Sequence, residues 1–365
     1  RTEFVERRKW LDDSSYIDLV ALCQFLPGPA SSQVGIALGL SRAGFPGAVA
    51  AWAGFTLPSA LLLTLCAQGL GAWGGGAPSG LLHGLKIVAV AVVAQAVWGM
   101  ARSLCTDVAR VSIALFAACT ALLWPNAIGQ IAVITGSAIT GLILLKPPGS
   151  PAGEELPFSV SRKAGLAALV MFFALLVGLP LLTRIWPSQA LAMINAFYSA
   201  GSLVFGGGHV VLPLLESATV ANGWVANDTF LAGYGLAQAI PGPLFTFAAF
   251  LGASMSLQPS GWVGATVGIL AIFTPSFLLV VGAVPFWETL RRSARSQSAL
   301  AGVNAGVVGL LLATLYQPVW TSAITKPADL AWALIALMAL MFWKWPAWLV
   351  VLGCGVFGWL LSSTF

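Results

Sequence analysis

The 365-residue chain is 58% hydrophobic and only 8% charged, where a soluble domain carries about 25% charged residues. With apolar runs of about twenty residues recurring from end to end, that balance excludes a soluble globular domain and indicates an all-α polytopic membrane protein. The net charge of +5 comes from basic residues clustered in short loops, a mark of membrane topology rather than of nucleic-acid binding.

In chain order, the first apolar stretch is interrupted at "FLPGPASSQVG", which starts at Phe25. Proline lacks a backbone N–H and clashes with the preceding turn, so Pro27-Gly28-Pro29 must break a helix. Residues 14–26 and 29–40 are expected to form two half-helices of a re-entrant hairpin. Each is about 20 Å long, too short to cross a hydrocarbon core of about 30 Å. Spans are expected at 45–70, 81–101, 111–125 and 127–145. A Pro/Gly/Glu linker, "KPPGSPAGEELPFSVSRK", occupies 146–163. A single span at 164–183 follows, then a hairpin at 190–221 whose tip is "FGGGH" (205–209). A third hairpin at 228–256 is broken at "IPGPLFTFAAF". Spans at 259–287, 297–316, 328–344 and 346–363 complete the chain.

The chain repeats itself at an offset of 214 residues. Trp10 then meets Trp224, Gln24 meets Gln238, and Pro27-Gly28-Pro29 meet Pro241-Gly242-Pro243. Downstream, "FTLPSALLL" meets "IFTPSFLLV", which pairs Pro58 with Pro275, and "HGLKIVAVAVV" meets "AGVNAGVVGLL", which sets Lys86 against Asn304. Matching loops carry opposite charge bias: Arg7, Arg8, Lys9 and Arg42 stand where the second copy has none, and Arg291, Arg292 and Arg295 stand where the first has none. The two copies, 1–145 and 164–365, therefore read as inverted-topology repeats. Letting the PGP segments dip and return places fourteen Lys/Arg on the cytoplasmic side and two outside, with Lys86 buried; letting them span gives ten against six. The hairpin topology obeys the positive-inside rule far better.

A broken helix inside a membrane exposes backbone N–H groups at the start of its second half, and the macrodipole adds positive charge there. Such a terminus suits an anion. The candidate substrate-binding set is therefore Gln24, Pro27, Gly28, Pro29, Ser31, Ser32 and Gln33 at the first break, and Gln238, Pro241, Gly242, Pro243 and Thr246 at the second PGP. Gly206, Gly207 and Gly208 permit close backbone approach, and His209 beside them is an anion or proton site; tight packing and a hydrogen-bonded structural role are the alternatives. Lys86, five residues into a span, is a functional candidate because a buried lysine is costly, with snorkelling as the alternative. Glu216 and Asp18 are candidates for coupling or gating.

The five cysteines show no CxxC spacing, and neither a metal nor a cofactor motif occurs, so no metal, no cofactor and no enzyme activity are expected. Taken together, "EFVERRKWL", "QFLPGPASSQ", "FGGGHVVLPLLE" and "GYGLAQAIPGPLFTFAAFLGA" resemble the chromate ion transporter (CHR) family in its long-chain, two-repeat form. The resemblance implies chromate export through a bacterial inner membrane and chromate resistance. The partners it implies are chromate, isosteric sulfate as competitor and the lipid bilayer; a homodimer is compatible with the chain. A sulfate or other oxyanion carrier, an anion channel and a membrane-bound reductase are the rival readings. Family members carry an FGGP motif ahead of the segment matching "EFVERRKWL", whereas this sequence begins at Arg1, so an N-terminally truncated view of a longer protein is expected.

The hairpin topology makes one direct prediction. Cysteines placed at positions 9 and 42 will react with an impermeant thiol reagent from the same side of the membrane. Labelling from opposite sides would remove the first hairpin.

Overall fold

The computed structural model describes residues 2–8, 10–72, 79–145, 160–205 and 208–364. Most of the expected linker and the tip glycines Gly206 and Gly207 lie outside the described residues. Beyond an initial wide turn, the N-terminal half contains α1 (Asp13–Phe25), α2 (Ala30–Ala72), α3 (Ser79–Leu104), α4 (Val108–Leu123) and α5 (Ala127–Leu144). There follow α6 (Arg162–Ile185), α7 (Gln189–Leu203), α8 (Val211–Thr219), α9 (Asn227–Ala239), α10 (Phe247–Ala253) and α11 (Gly261–Ala283). The chain closes with α12 (Trp287–Arg292), α13 (Ala294–Thr314), the single turn α14 (Thr321–Ala323), α15 (Pro327–Met341) and α16 (Ala347–Thr364). Several starts are written locally. Asp12, Asp107, Asn126, Ser161 and Ser293 each accept a bond from a first-turn N–H, which satisfies a donor the helix cannot.

Two places decide how the chain folds back on itself. Within α2 the backbone leaves helical geometry at Ala43 and Gly44, the latter at φ +63°. An unbroken helix would hold Gly39 and Gly47 about 12 Å apart. Instead a Cβ on either glycine would strike the other's carbonyl, so residues after 44 run back along those before 43. The same contact recurs between α10 and α11, where Gly252 and Gly264 meet backbone to backbone.

The repeat-aligned helices α3 and α13 each pack against the last two helices of the other half. α13 lies against α4 and α5, and α3 lies against α15 and α16. Glycine sets both crossings. A side chain at Gly302 would meet the Ser137 carbonyl, and one at Gly309 the Ala114 carbonyl. Across the other crossing, Gly84 faces the Cys354 carbonyl and Gly358 faces that of Gly80. Gly84 and Gly302 are aligned positions of the sequence repeat. Lipid tails are as apolar as the helices, so no hydrophobic gradient drives this association, and close backbone approach supplies the dispersion contact in its place.

Among the described residues, five helical segments are long and apolar enough to cross a membrane: Ala30–Gly71, Gly80–Leu104, Arg162–Ile185, Gly261–Phe286 and Ala294–Ala323. The protein is a multi-pass membrane protein. The nine expected spans lie close to observed helices, but α4, α5, α15 and α16 are shorter than the rest. The 16 residues of α4 reach about 24 Å. Each short pair packs against the repeat-aligned helix of the opposite half, α4 and α5 on α13 and α15 and α16 on α3.

Gly302→Ala will lower thermal stability in detergent by about 1–3 kcal/mol, the usual range for overpacking a filled contact. Gly136→Ala, where a Cβ meets open space, will be neutral or stabilising. Both are read from melting curves; equal effects would mean that the crossing tolerates a side chain.

Candidate functional site

The first break starts where Pro27 pushes Leu26 into extended geometry, φ −81° and ψ 145°. Gly28 then takes φ +123°, a conformation open to glycine and strained for other residues. Its N–H donates to the Val204 carbonyl at 2.7 Å, so the first break docks on the end of α7. A Cβ at Gly208 would rest 3.4 Å from the Leu244 Cβ, so the break after α7 in turn leans on the second PGP segment. Three interruptions far apart in sequence thus form one contiguous region.

Each PGP glycine also faces the opposite half. The open side of Gly28 lies 2.9 Å from the Ser276 Oγ, measured from where its Cβ would be. Gly242, at φ +153°, faces the Ser59 hydroxyl in the same way. Ser59 follows Pro58 and Ser276 follows Pro275, the two prolines paired by the repeat. Sequence reasoning missed both serines. The signal was present in the aligned Pro-Ser dipeptides, but nothing local said that they would meet the other half's glycine.

At the first break Ser32 and Gln33 are buried, at 1% and 0% exposure. Gln33 Nε2 donates to the Pro27 carbonyl at 2.7 Å and braces the turn. Ser32 Oγ, Gln33 Oε1 and Ser276 Oγ are buried with no hydrogen-bond partner. A buried polar atom left so costs about 1–3 kcal/mol, and a bound polar ligand removes that cost. Gln24 and Ser31 do not join them. Both are exposed and line a cleft of about 1040 Å³ with Arg8, Trp10 and Arg42. There the Arg8 and Arg42 guanidinium carbons lie 5.1 and 5.5 Å from the Trp10 ring centroid. Consecutive helical residues diverge by about 100°, so Ser31 and Ser32 serve different faces.

At the second PGP the tip differs. Pro241 and Gly242 are exposed and Pro243 is buried. Thr246 Oγ1 donates to the Pro243 carbonyl at 2.7 Å, while Gln238 Nε2 has no partner. Next to Gly208, His209 Nδ1 lies 2.8 Å from the hydroxyl of Tyr234, a fully buried residue of α9 that the sequence reading passed over.

Lys86 is not the isolated charge its apolar surroundings suggested. Its Nζ lies 3.0 Å from the Asp228 carboxylate, with the lysine side chain 13% and the aspartate 59% exposed. Asp228 opens α9 and the PGP break closes it, a separation of about 18 Å along the helix. Glu216 sits half-buried on α8 and lines a small cavity with Gln130, Thr314 and Gln317. Asp18 is buried on α1. Counted along their helices, both acids stand about 12–14 Å from the nearest break.

The family model for chromate transporters matches residues 1–142 and 191–359. A chromate transport protein of Pseudomonas aeruginosa is 27% identical over 99% of this chain and 86% of its own length. A probable chromate transport protein of Synechococcus elongatus is 26% identical over 85% of this chain and 75% of its own, and a chromate transport protein of Cupriavidus metallidurans is 23% identical over 98% and 85%. No solved structure matches the chain. On the full-length match of both halves, the chain belongs to the chromate transporter family, a family of transporters and not of enzymes.

Proposed function

We propose that this protein exports chromate from the cytoplasm across a bacterial inner membrane, by alternating access between two inverted repeats. The anion is held at the first PGP break, which the other two helix breaks support. The observation that carries this reading is that junction: Gly28 bonded to Val204 and facing Ser276 of the other half, with Gly208 against Leu244. The half-helix N-terminus of α2 and the unpartnered hydroxyls of Ser32 and Ser276 at the first break support an oxyanion site there. The crossed packing of α3 on α15 and α16, and of α13 on α4 and α5, supports two related halves that rock against each other. The buried first tip supports a carrier over an open channel. The Arg8–Arg42 cleft supports a cytoplasmic anion vestibule, with Gln24 and Ser31 on its wall.

Energetics favour export without a coupling ion. Each charge leaving against about −100 mV gains about 2.3 kcal/mol. A dianion therefore gains about 4.6 kcal/mol, enough to hold over a thousandfold gradient at about 1.4 kcal/mol per decade. The shared tetrahedral shape makes sulfate a competitor.

In inverted vesicles the wild-type protein will accumulate chromate saturably, faster with an inside-positive potential. Gly28→Ala, which sets a methyl 2.6 Å from Gln33 Nε2 and 2.9 Å from Ser276 Oγ, will cut that uptake at least about tenfold, the scale of one charge-assisted hydrogen bond, while membrane insertion persists. Uptake confined to right-side-out vesicles would make the protein an importer.

The Lys86–Asp228 pair works as a clamp of α3 on α9. Lys86→Met and Asp228→Asn will therefore impair transport to similar degrees, and the double variant no further, as a coupled pair requires. Loss of transport in Lys86→Met alone, with Asp228→Asn active, would assign the lysine charge to the substrate path.

A further inference from the structure

We infer that the two PGP breaks are not equivalent: the substrate half-site is the first break alone, and Ser276, contributed by the opposite half, is one of its ligands. The inference rests on the transport reading above and names the groups that touch the anion.

Three observations separate the breaks. The first is burial. Gly28 and Pro29 are enclosed, and Ser32, Gln33 and Ser276 are at most 1% exposed, whereas Pro241 and Gly242 are exposed. The second is hydrogen-bond state. At the first break Ser32 Oγ and Ser276 Oγ have no partner. At the second, the corresponding hydroxyls are committed: Ser59 Oγ donates to the Thr56 carbonyl at 3.0 Å, and Thr246 Oγ1 to that of Pro243. The third is the helix that follows. α2 continues as a regular helix from Ala30 to the bend at Ala43. The second break instead opens into a three-residue 3-10 turn, Leu244–Thr246, ahead of the seven-residue α10. The first break therefore opens the longer run of regular helix, with the better aligned N–H groups and the larger macrodipole.

A tetrahedral oxyanion at the first break meets the free N–H groups of the opening turn of α2 and the hydroxyls of Ser32 and Ser276. Gln33 does not reach for it through its amide nitrogen, which is committed to the Pro27 carbonyl; it is a positioning residue that holds the turn open. Because Ser276 belongs to α11 and Ser32 to α2, the ligand bridges the two halves. Any movement of one half against the other then removes a hydroxyl from the anion, which links release to the conformational change. The Ser59–Gly242 contact is the packed counterpart that keeps the second tip in register.

The test is chromate uptake into inverted vesicles by the full chain, with KM and maximal rate measured separately. Ser276→Ala removes one hydroxyl and no packing volume of consequence, and will raise KM about tenfold, the scale of one hydrogen bond to a charged group. Ser59→Ala will leave KM unchanged. Thermal stabilisation of the purified protein by chromate, read from melting curves, will weaken in Ser276→Ala and persist in Ser59→Ala. An unchanged KM in Ser276→Ala overturns the inference while leaving the transport reading intact. So does an equal rise in both variants, since it restores equivalence of the two breaks. No saturable chromate uptake by the wild type overturns the transport reading itself.

Discussion

A backbone broken inside lipid must find hydrogen-bond partners in the protein or in water, because lipid supplies none. Much of this structure follows from that demand. The Gly28 N–H finds the Val204 carbonyl, and the Pro27 carbonyl finds the Gln33 amide. The carbonyl of Pro213, a proline inside α8, receives the Gln130 side chain from α5. The first break is thereby tied to the end of α7 and braced by its own Gln33. The price of interrupting three helices is met by making the interruptions hold one another.

The same demand accounts for the distribution of glycine. Breaks can be brought together only if the helices carrying them come close, and in an apolar medium closeness needs small residues. Gly39 against Gly47 and Gly252 against Gly264 turn the chain back beside the PGP breaks. Gly84, Gly302, Gly309 and Gly358 seat α3 and α13 against the opposite half. With both kinds of contact in place, Gly28 arrives at Ser276 and Gly242 at Ser59. The serines that face the two PGP glycines are thus delivered by helix packing far from the breaks themselves.

Charge plays a narrower part than its scarcity suggests. Lys86 and Asp228 join α3 to α9, and His83 Nε2 lies 2.8 Å from the Asp329 carboxylate, joining α3 to α15. Both pairs brace the first turns of α3. In the proposed site the unpaired side-chain groups that suit an anion are the neutral hydroxyls of Ser32 and Ser276. Neutral ligands bind a multivalent anion without holding it as tightly as a buried cation would, which fits a protein that must let go of its cargo.

The chain alone determined the class of protein, the approximate helix boundaries and the positions of the breaks, because apolar runs, Pro-Gly pairs and loop charge are local properties. It also named Ser32, Gln33 and Gly28 as neighbours at the first break, since a residue's offset from a proline is read directly. Other features were decided only by tertiary structure. Ser31 and Ser32 are neighbours in sequence and part company in space, because a helix rotates each residue from the last. Lys86 acquired Asp228, 142 positions away, and His209 acquired Tyr234. Ser276 joined the first break because α11 crosses it, not because of any feature beside it. The repeat made both halves look alike in sequence, yet burial enclosed one PGP tip and left the other exposed. Which side chains share a cavity depends on how separate helices cross, and that is a property of the packed chain rather than of any segment.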